Sequence, residues 1–211
     1  MKKVILFFLL CLLSGAVFCQ KVIIAVEFQN RLICGIHNFF DIAVENIPND
    51  SLFLKTDNGI IDQEEGFFKT TPIKLGEATI SVYKIRALDT LLLTSKKFQV
   101  INVGEFAKAS FDEITAGNIT KKKLIATHHL TANVENLAFL FELRITNYRV
   151  IIFRNDSLFF TKQYESEEIS KELKEKFRTT QSGDMIYFID IVALTPVNLN
   201  TTLNTIRLTV E

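Results

Sequence analysis

The sequence predicts a mainly β protein built as two β-rich bodies in series. Three observations predict it: apolar residues recur at every second position in many short segments, turn-forming residues separate those segments, and one stretch alone carries a helical stripe.

The N-terminus is read first. Lys2 and Lys3 precede an apolar run from Val4 to Leu13, followed by the small and mixed residues Ser14 to Cys19 and polar Gln20. This is the order of a secretory signal peptide, and the run is short for a membrane span, which takes about 20 apolar residues. Cleavage is expected between Cys19 and Gln20, so residues 1–19 form the signal peptide. Lipidation at Cys19 is disfavoured because bulky Phe18 stands where acylation sites carry a small residue. Cleavage leaves 192 of the 211 residues, with 22 basic against 24 acidic side chains once Lys2 and Lys3 are gone. No basic surplus points to nucleic acid. Cys11 and Cys19 leave with the signal, so Cys34 has no intrachain partner. An exported chain without a disulfide is held by its core, and 16 of the 19 phenylalanines lie in the mature part. No transmembrane segment is expected after cleavage.

Along the mature chain, Phe40, Ile42 and Val44 alternate with Asp41, Ala43 and Glu45. Asp57-Asn58-Gly59 between two apolar segments predicts a tight hairpin, since Asn-Gly supplies the two positive-φ positions. Ala78, Ile80 and Val82 form the next alternating row. The run through Phe98 and Val100 passes Asn102 and Gly104 into less regular sequence, which places a boundary near residues 102–105 and gives domains over 20–102 and 103–211. Leu137, Phe139, Phe141, Leu143 and Ile145 predict one strand, and Ile206, Leu208 and Val210 another. The nearly continuous apolar run Met185 to Leu194 predicts a strand covered on both faces. One helix is predicted near 166–177: Ser166 caps it, Glu167 and Glu168 suit its N-terminal dipole, and Ile169, Leu173 and Phe177 form its buried stripe.

The pentapeptide Asn-Asp-Ser-Leu-Phe occurs at 49–53 and again at 155–159. Aligning the copies pairs Phe40 with Thr146 and Ile42 with Tyr148, so the similarity ends with the five letters and no duplicated module is expected. Short polar side chains that bond nearby backbone favour a turn, and Leu-Phe then enters a strand.

No constellation points to catalysis. His37 stands alone, and the adjacent His128 and His129 would face opposite sides of a strand. Cys34 and His37 are three apart, which also divides them between strand faces, and a small buried thiol is the ordinary reading. Asp41 with Glu45, and Asp184 with Asp190, have the spacing of turn and surface carboxylates. Lys121 to Lys123 reads as a solubilising edge or gatekeeper. No nucleotide-binding or hydrolase motif occurs, and no catalytic, cofactor or metal site is expected.

Segments in order along the chain carry a family resemblance. "LICGIHNFFDIAVENIPNDSL" (32–52), "DNGII", "GFFKTTP", "LGEATISVYK" and "KKFQV" resemble the third domain of GldM, the periplasmic shaft protein of type IX secretion and gliding motility in Bacteroidetes. "ENLAFLFELRITNYRV", "SGDMIYFIDIVAL" and "TIRLTV" resemble its fourth, C-terminal domain, so the resemblance spans about residues 22–210. It implies two β-sandwich-like domains, the first immunoglobulin-like and the second β-rich with one short helix. It further implies a periplasmic location, a homodimer, and a protein partner in the envelope associated with the outer membrane. Family shafts begin with a membrane helix and a helical domain; here a signal peptide leads straight into the β part, so no energy transduction is expected. The family's linker proline is replaced by Ile101-Asn102-Val103-Gly104, which removes a fixed φ from the joint. The function expected is a non-catalytic exported protein acting by protein–protein interaction. The alternative is a β-sandwich module for a glycan or small ligand, although the chain has no Trp and four Tyr.

Overall fold

The computed structural model describes residues 21–26, 30–64, 67–86, 89–134 and 141–211. The signal peptide read over residues 1–19 lies outside them. Among the described residues, no helix is long and apolar enough to cross a membrane, which leaves β-barrel insertion unaddressed.

The chain is mainly β. Its first half comprises β1 (Val22–Val26), β2 (Arg31–Ile33), β3 (Asn38–Val44), β4 (Leu52–Thr56), β5 (Ile60–Glu64), β6 (Phe67–Thr71), β7 (Gly76–Ile85) and β8 (Thr90–Ile101). They form two four-stranded sheets, in the orders β1-β3-β6-β5 and β2-β8-β7-β4. β2 runs parallel to β8 and the other pairs are antiparallel. This division of strands between facing sheets is the immunoglobulin arrangement. The alternation explains it: Phe40, Ile42 and Val44 from one sheet and Ala78, Ile80 and Val82 from the other are buried in one shared core.

The second half comprises β9 (Ala107–Phe111), β10 (Ala116–Ile119), α1 (Lys121–Ala126), β11 (Leu130–Val134), β12 (Arg144–Arg154), β13 (Ser157–Tyr164), α2 (Lys171–Arg178), β14 (Met185–Leu194), β15 (Asn200–Thr202) and β16 (Ile206–Val210). A sheet ordered β10-β16-β14-β12-β13, with β15 beside β14, packs against the β9–β11 ribbon and the two helices. Phe111 of the ribbon sits 5.2 Å from the ring of Phe188 in the sheet and 6.1 Å, edge-on, from Phe177 of α2. All three are fully buried, so one aromatic cluster joins ribbon, sheet and helix.

Several expectations are corrected. Among the described residues, the second half has two short α-helices rather than one. The lysine run at 121–123 is the first turn of α1, capped by Thr120 Oγ1, with Leu124 buried beneath it. α2 starts later than predicted, and Ser170 rather than Ser166 caps it by accepting from Leu173 N at 3.1 Å. The residues between are committed to backbone pairing: Leu130 N donates to Glu167 O at 2.9 Å and Ile169 N to His128 O at 2.8 Å. The stripe Ile169, Leu173 and Phe177 is buried as expected, because Ile169 points inward before the helix begins. The strand predicted over 137–145 starts at Arg144; residues 137–140 lie outside the described ones, and 141–143 are not strand. β14 buries one face, and its other is half-exposed. Asp190, at φ 52°, inserts a bulge that carries the buried positions from Ile186 and Phe188 to Ile191 and Ala193.

Both copies of the repeated pentapeptide turn the chain into a strand, by different turns. Asn49–Ser51 is a single 3-10 turn ahead of β4. Asn155 and Asp156, at φ 47° and 61°, form the two-residue loop of the β12–β13 hairpin.

Asp57-Asn58-Gly59 is not a hairpin loop: β4 pairs with β7 in one sheet and β5 with β6 in the other, so the segment carries the chain across the sandwich. Asn58 is buried, and its amide nitrogen donates to Lys74 O (2.8 Å) and Glu77 O (3.1 Å). Its oxygen accepts from Ile73 N and Lys74 N, both at 3.1 Å. A Cβ at Gly59, φ 89°, would lie 1.9 Å from Thr71 O, so the corner also requires glycine there.

Asp184, which is buried, receives Arg154 Nη2 at 2.7 Å and Gln181 N at 2.9 Å. Burial on its own would raise this carboxyl, but the Arg154 and Gln181 hydrogen bonds and the charges of Arg154 and Lys121 hold it below its ordinary value.

Two predictions follow from these bonds. Asn58→Ala removes the partner of four backbone groups and should cost about 3 kcal/mol in denaturant unfolding; a loss within error of zero would show that solvent replaces the amide. Because Asp184 is depressed in the folded state, its contribution is present above the unfolded value of about 4 and is lost as pH falls through the folded value. Asp184→Asn should therefore flatten the thermal midpoint against pH below about 4; an unchanged acid slope would remove Asp184 from the acid response.

Candidate interaction surfaces

Alternation in β3 sends Asn38, Phe40, Ile42 and Val44 inward and leaves Phe39, Asp41 and Ala43 on the outer face. Phe67 of β6 and Ala25 of β1 stand on the same face, because β1 and β6 flank β3. Between them lies an open groove of about 450 Å³ lined by Ala25, Val26, Phe39, Phe40, Asp41 and Phe67. Among the described residues that line it, Asp41 is the one polar side chain. The sequence carried a signal for it: Phe39 is an aromatic residue in the outward phase of a strand whose inward phase is already apolar.

The opposite outer face, on β4, β7 and β8, carries a second apolar patch. Phe53 and Tyr83 pack with ring centres 6.2 Å apart and planes tilted by 45°, and Lys55 Nζ lies 5.5 Å from both rings. Leu92 pairs with Tyr83 across a bulge and is exposed beside it.

Two sheet edges are managed differently. The edge of β1 is short and uncharged, and Lys96 reaches from β8 to donate to Ile24 O at 3.1 Å. The edge of β13 is longer, with Leu158 and Phe159 exposed, but it is bulged opposite Ile152 and Phe153, and Lys162 faces α2 in an ion pair with Glu172. A bulge and an inward lysine disfavour adding another strand there.

A smaller cavity of about 190 Å³ lies where the halves meet, lined by Cys34, Ile73, Leu75, Asn102, Val103, Thr195, Leu199, Asn200 and Thr201. Asn102 Oδ1 accepts from Gly104 N at 2.9 Å and from Thr201 Oγ1 at 2.7 Å, so the proline-free linker is tied to the second half through a side chain. A Cβ at Gly35 would lie 2.7 Å from Thr195 Oγ1, and Ile33 and Ile36 are buried in the second half's core.

The chemically capable residues are scattered and locally engaged. His37 Nδ1 lies 2.7 Å from Thr71 Oγ1. His128 Nδ1 lies 3.0 Å from Lys174 Nζ, and His129 is in the backbone bridge to Glu168. Cys34 is free, and burial pushes its thiol up, away from the reactive thiolate. Asp184 is bound to Arg154, whereas Asp190 lies 3.4 Å from Arg149, so these two carboxylates answer to different cations. Lys121 donates to Thr180 O at 2.9 Å and Lys123 pairs with Asp112 at 2.6 Å. Among the described residues, no group of three or more His, Cys, Asp or Glu is placed to hold a metal ion.

No protein-family model matches the chain, and no curated protein does. Among solved structures, the adhesin InvE of Yersinia pseudotuberculosis aligns over 92% of this chain and 59% of its own length, at 12% identity and TM-score 0.30. Domains 6–7 of surface layer protein SbsC align over 90% of this chain and 98% of theirs, at 10% identity and TM-score 0.29. The protocadherin gammaB7 EC3-6 cis-dimer structure aligns over 91% and 51%, at 12% identity and TM-score 0.29. The chain thus spans about three-fifths of the InvE chain and about half of the protocadherin chain. Scores this low carry no argument about function.

Proposed function

We propose that the chain is a non-catalytic exported envelope protein that works by binding another protein, in the manner of the C-terminal part of the type IX secretion and gliding-motility shaft. The observation that carries this reading is where the chemistry sits. His37, His128, Asp184 and Asp190 are engaged in separate local contacts, while exposed aromatic and aliphatic side chains gather on sheet faces. The outer face around Phe39 and Phe67 is the surface offered to a partner. The alternative, a module for a glycan or small ligand, would use the same groove. Its open shape, with Asp41 the one polar side chain among its described lining residues, favours a broad protein contact over a ligand held by converging hydrogen bonds.

The test places a photo-crosslinking residue at Phe39 and at Phe67 in the source cells. Adducts with an outer-membrane or secretion component are expected at these positions and not at exposed Lys108. An exported, folded protein that yields no envelope-protein adduct at either position would overturn the proposal.

A further inference from the structure

One pentapeptide serves two opposite backbone shapes. Asn49–Ser51 turns as a 3-10 helix, whereas Asn155 and Asp156 stand at positive φ in a hairpin loop. A single turn preference therefore does not select the same five letters in both places. What the two sites share is position. Each copy opens an edge strand of its sheet: β4 ends the order β2-β8-β7-β4, and β13 ends β10-β16-β14-β12-β13. Each also sets an exposed phenylalanine two residues beyond its serine, Phe53 at 43% and Phe159 at 39%. Ser157 is exposed and Ser51 half-exposed. Neither hydroxyl has a hydrogen-bond partner among the described residues, whereas those of Ser81, Ser95, Ser110, Ser166 and Ser170 are bonded.

We propose that Ser51 and Ser157 are attachment sites for a sugar, added during export by a transferase that reads these five residues. The duplicated window is centred on the serine, with Asn-Asp before it and Leu-Phe after it in both copies. Asn-Asp-Ser also fits the asparagine-linked acceptor pattern, but so do Asn118-Ile119-Thr120 and Asn200-Thr201-Thr202, which lack the shared flanks. Serine is thus the residue whose surroundings repeat on both sides. The step is a substitution at the sugar's anomeric carbon. Serine Oγ forms the new bond to that carbon, and the carbon's bond to a lipid diphosphate donor breaks. The lipid diphosphate leaves with the electron pair, and the hydroxyl proton passes to a base on the transferase. Export separates the chain from nucleotide phosphoryl donors, which favours a sugar over a phosphate. A bulky, solvated group at these two places shields a strand edge and the exposed apolar residues that follow it, Phe53 in one copy and Leu158 and Phe159 in the other. The face around Phe39 and Phe67 stays bare for a partner. The inference rests on the reading of the chain as exported.

Mass spectrometry of the full chain purified from the source cells reads it out. The intact mass should exceed that of residues 20–211, and sugar-bearing fragments should map to Ser51 and Ser157. Mild alkali should release the sugar by elimination across the serine Cα–Cβ bond, a route closed to an asparagine-linked amide. Ser51→Ala and Ser157→Ala should each remove one increment of mass, and the double variant should return to the mass of the bare chain. Ser51→Thr and Ser157→Thr, which keep a hydroxyl, should keep the increment. A chain cut after Cys19 with both serines bare overturns this inference and leaves the export reading standing. A bare chain that retains residues 1–19 overturns the two together. Sugar on one serine only, or on Asn49 or Asn155, also overturns the inference.

Discussion

A buried backbone N–H or C=O must have a partner, and in this chain asparagine side chains meet that demand where the strand pairing stops. Asn58 satisfies four backbone groups at the crossing between the sheets of the first half. Asn38 accepts from Ile33 N at 2.7 Å and donates to Ile33 O and Ile36 O, fixing the tight loop between β2 and β3. Asn204 accepts from Ala109 N at 2.7 Å and donates to Ala109 O at 3.1 Å, tying the segment before β16 to the ribbon. Asn102 does the same service at the joint. An amide side chain presents a donor and an acceptor side by side, as a peptide group does, so it can stand in for a missing rung.

With the corners closed in this way, apolar burial can proceed in regular layers. Two core clusters result, one between the four-stranded sheets and one between the large sheet and its cover of ribbon and helices. Ile33 and Ile36 come from the first half and are buried in the second cluster, so the joint is continuous with a core.

How legible this was in the sequence depends on the range of the governing interaction. Alternation is local, and the rows at Phe40–Val44, Ala78–Val82 and Ile206–Val210 were readable because one buried face is enough to impose period two. The stripe Ile169, Leu173 and Phe177 was readable for the same reason, while the start of the helix was not: Ser166 and Ser170 are equally good caps, and the choice is made by pairing with residues 128–130. Asp57-Asn58-Gly59 has hairpin letters, but Asn58 is claimed by residues some fifteen or more positions away. The helical turn at Lys121 to Lys123 was not legible, because charge hides a turn whose one buried residue is Leu124. The candidate surfaces were the least legible part, since an outward Phe39 looks like any other strand phenylalanine until the inward row has been assigned.

At Gly35 the first half meets the second with bare backbone: a Cβ there would sit 2.7 Å from Thr195 Oγ1. Most inter-domain contacts are padded by side chains whose torsions can yield. Here backbone bears almost directly on a threonine, with Asn102 and Thr201 bonded alongside. The consequence is mechanical: a pull on one half reaches the other with little slack, as through a keyed coupling rather than a tether.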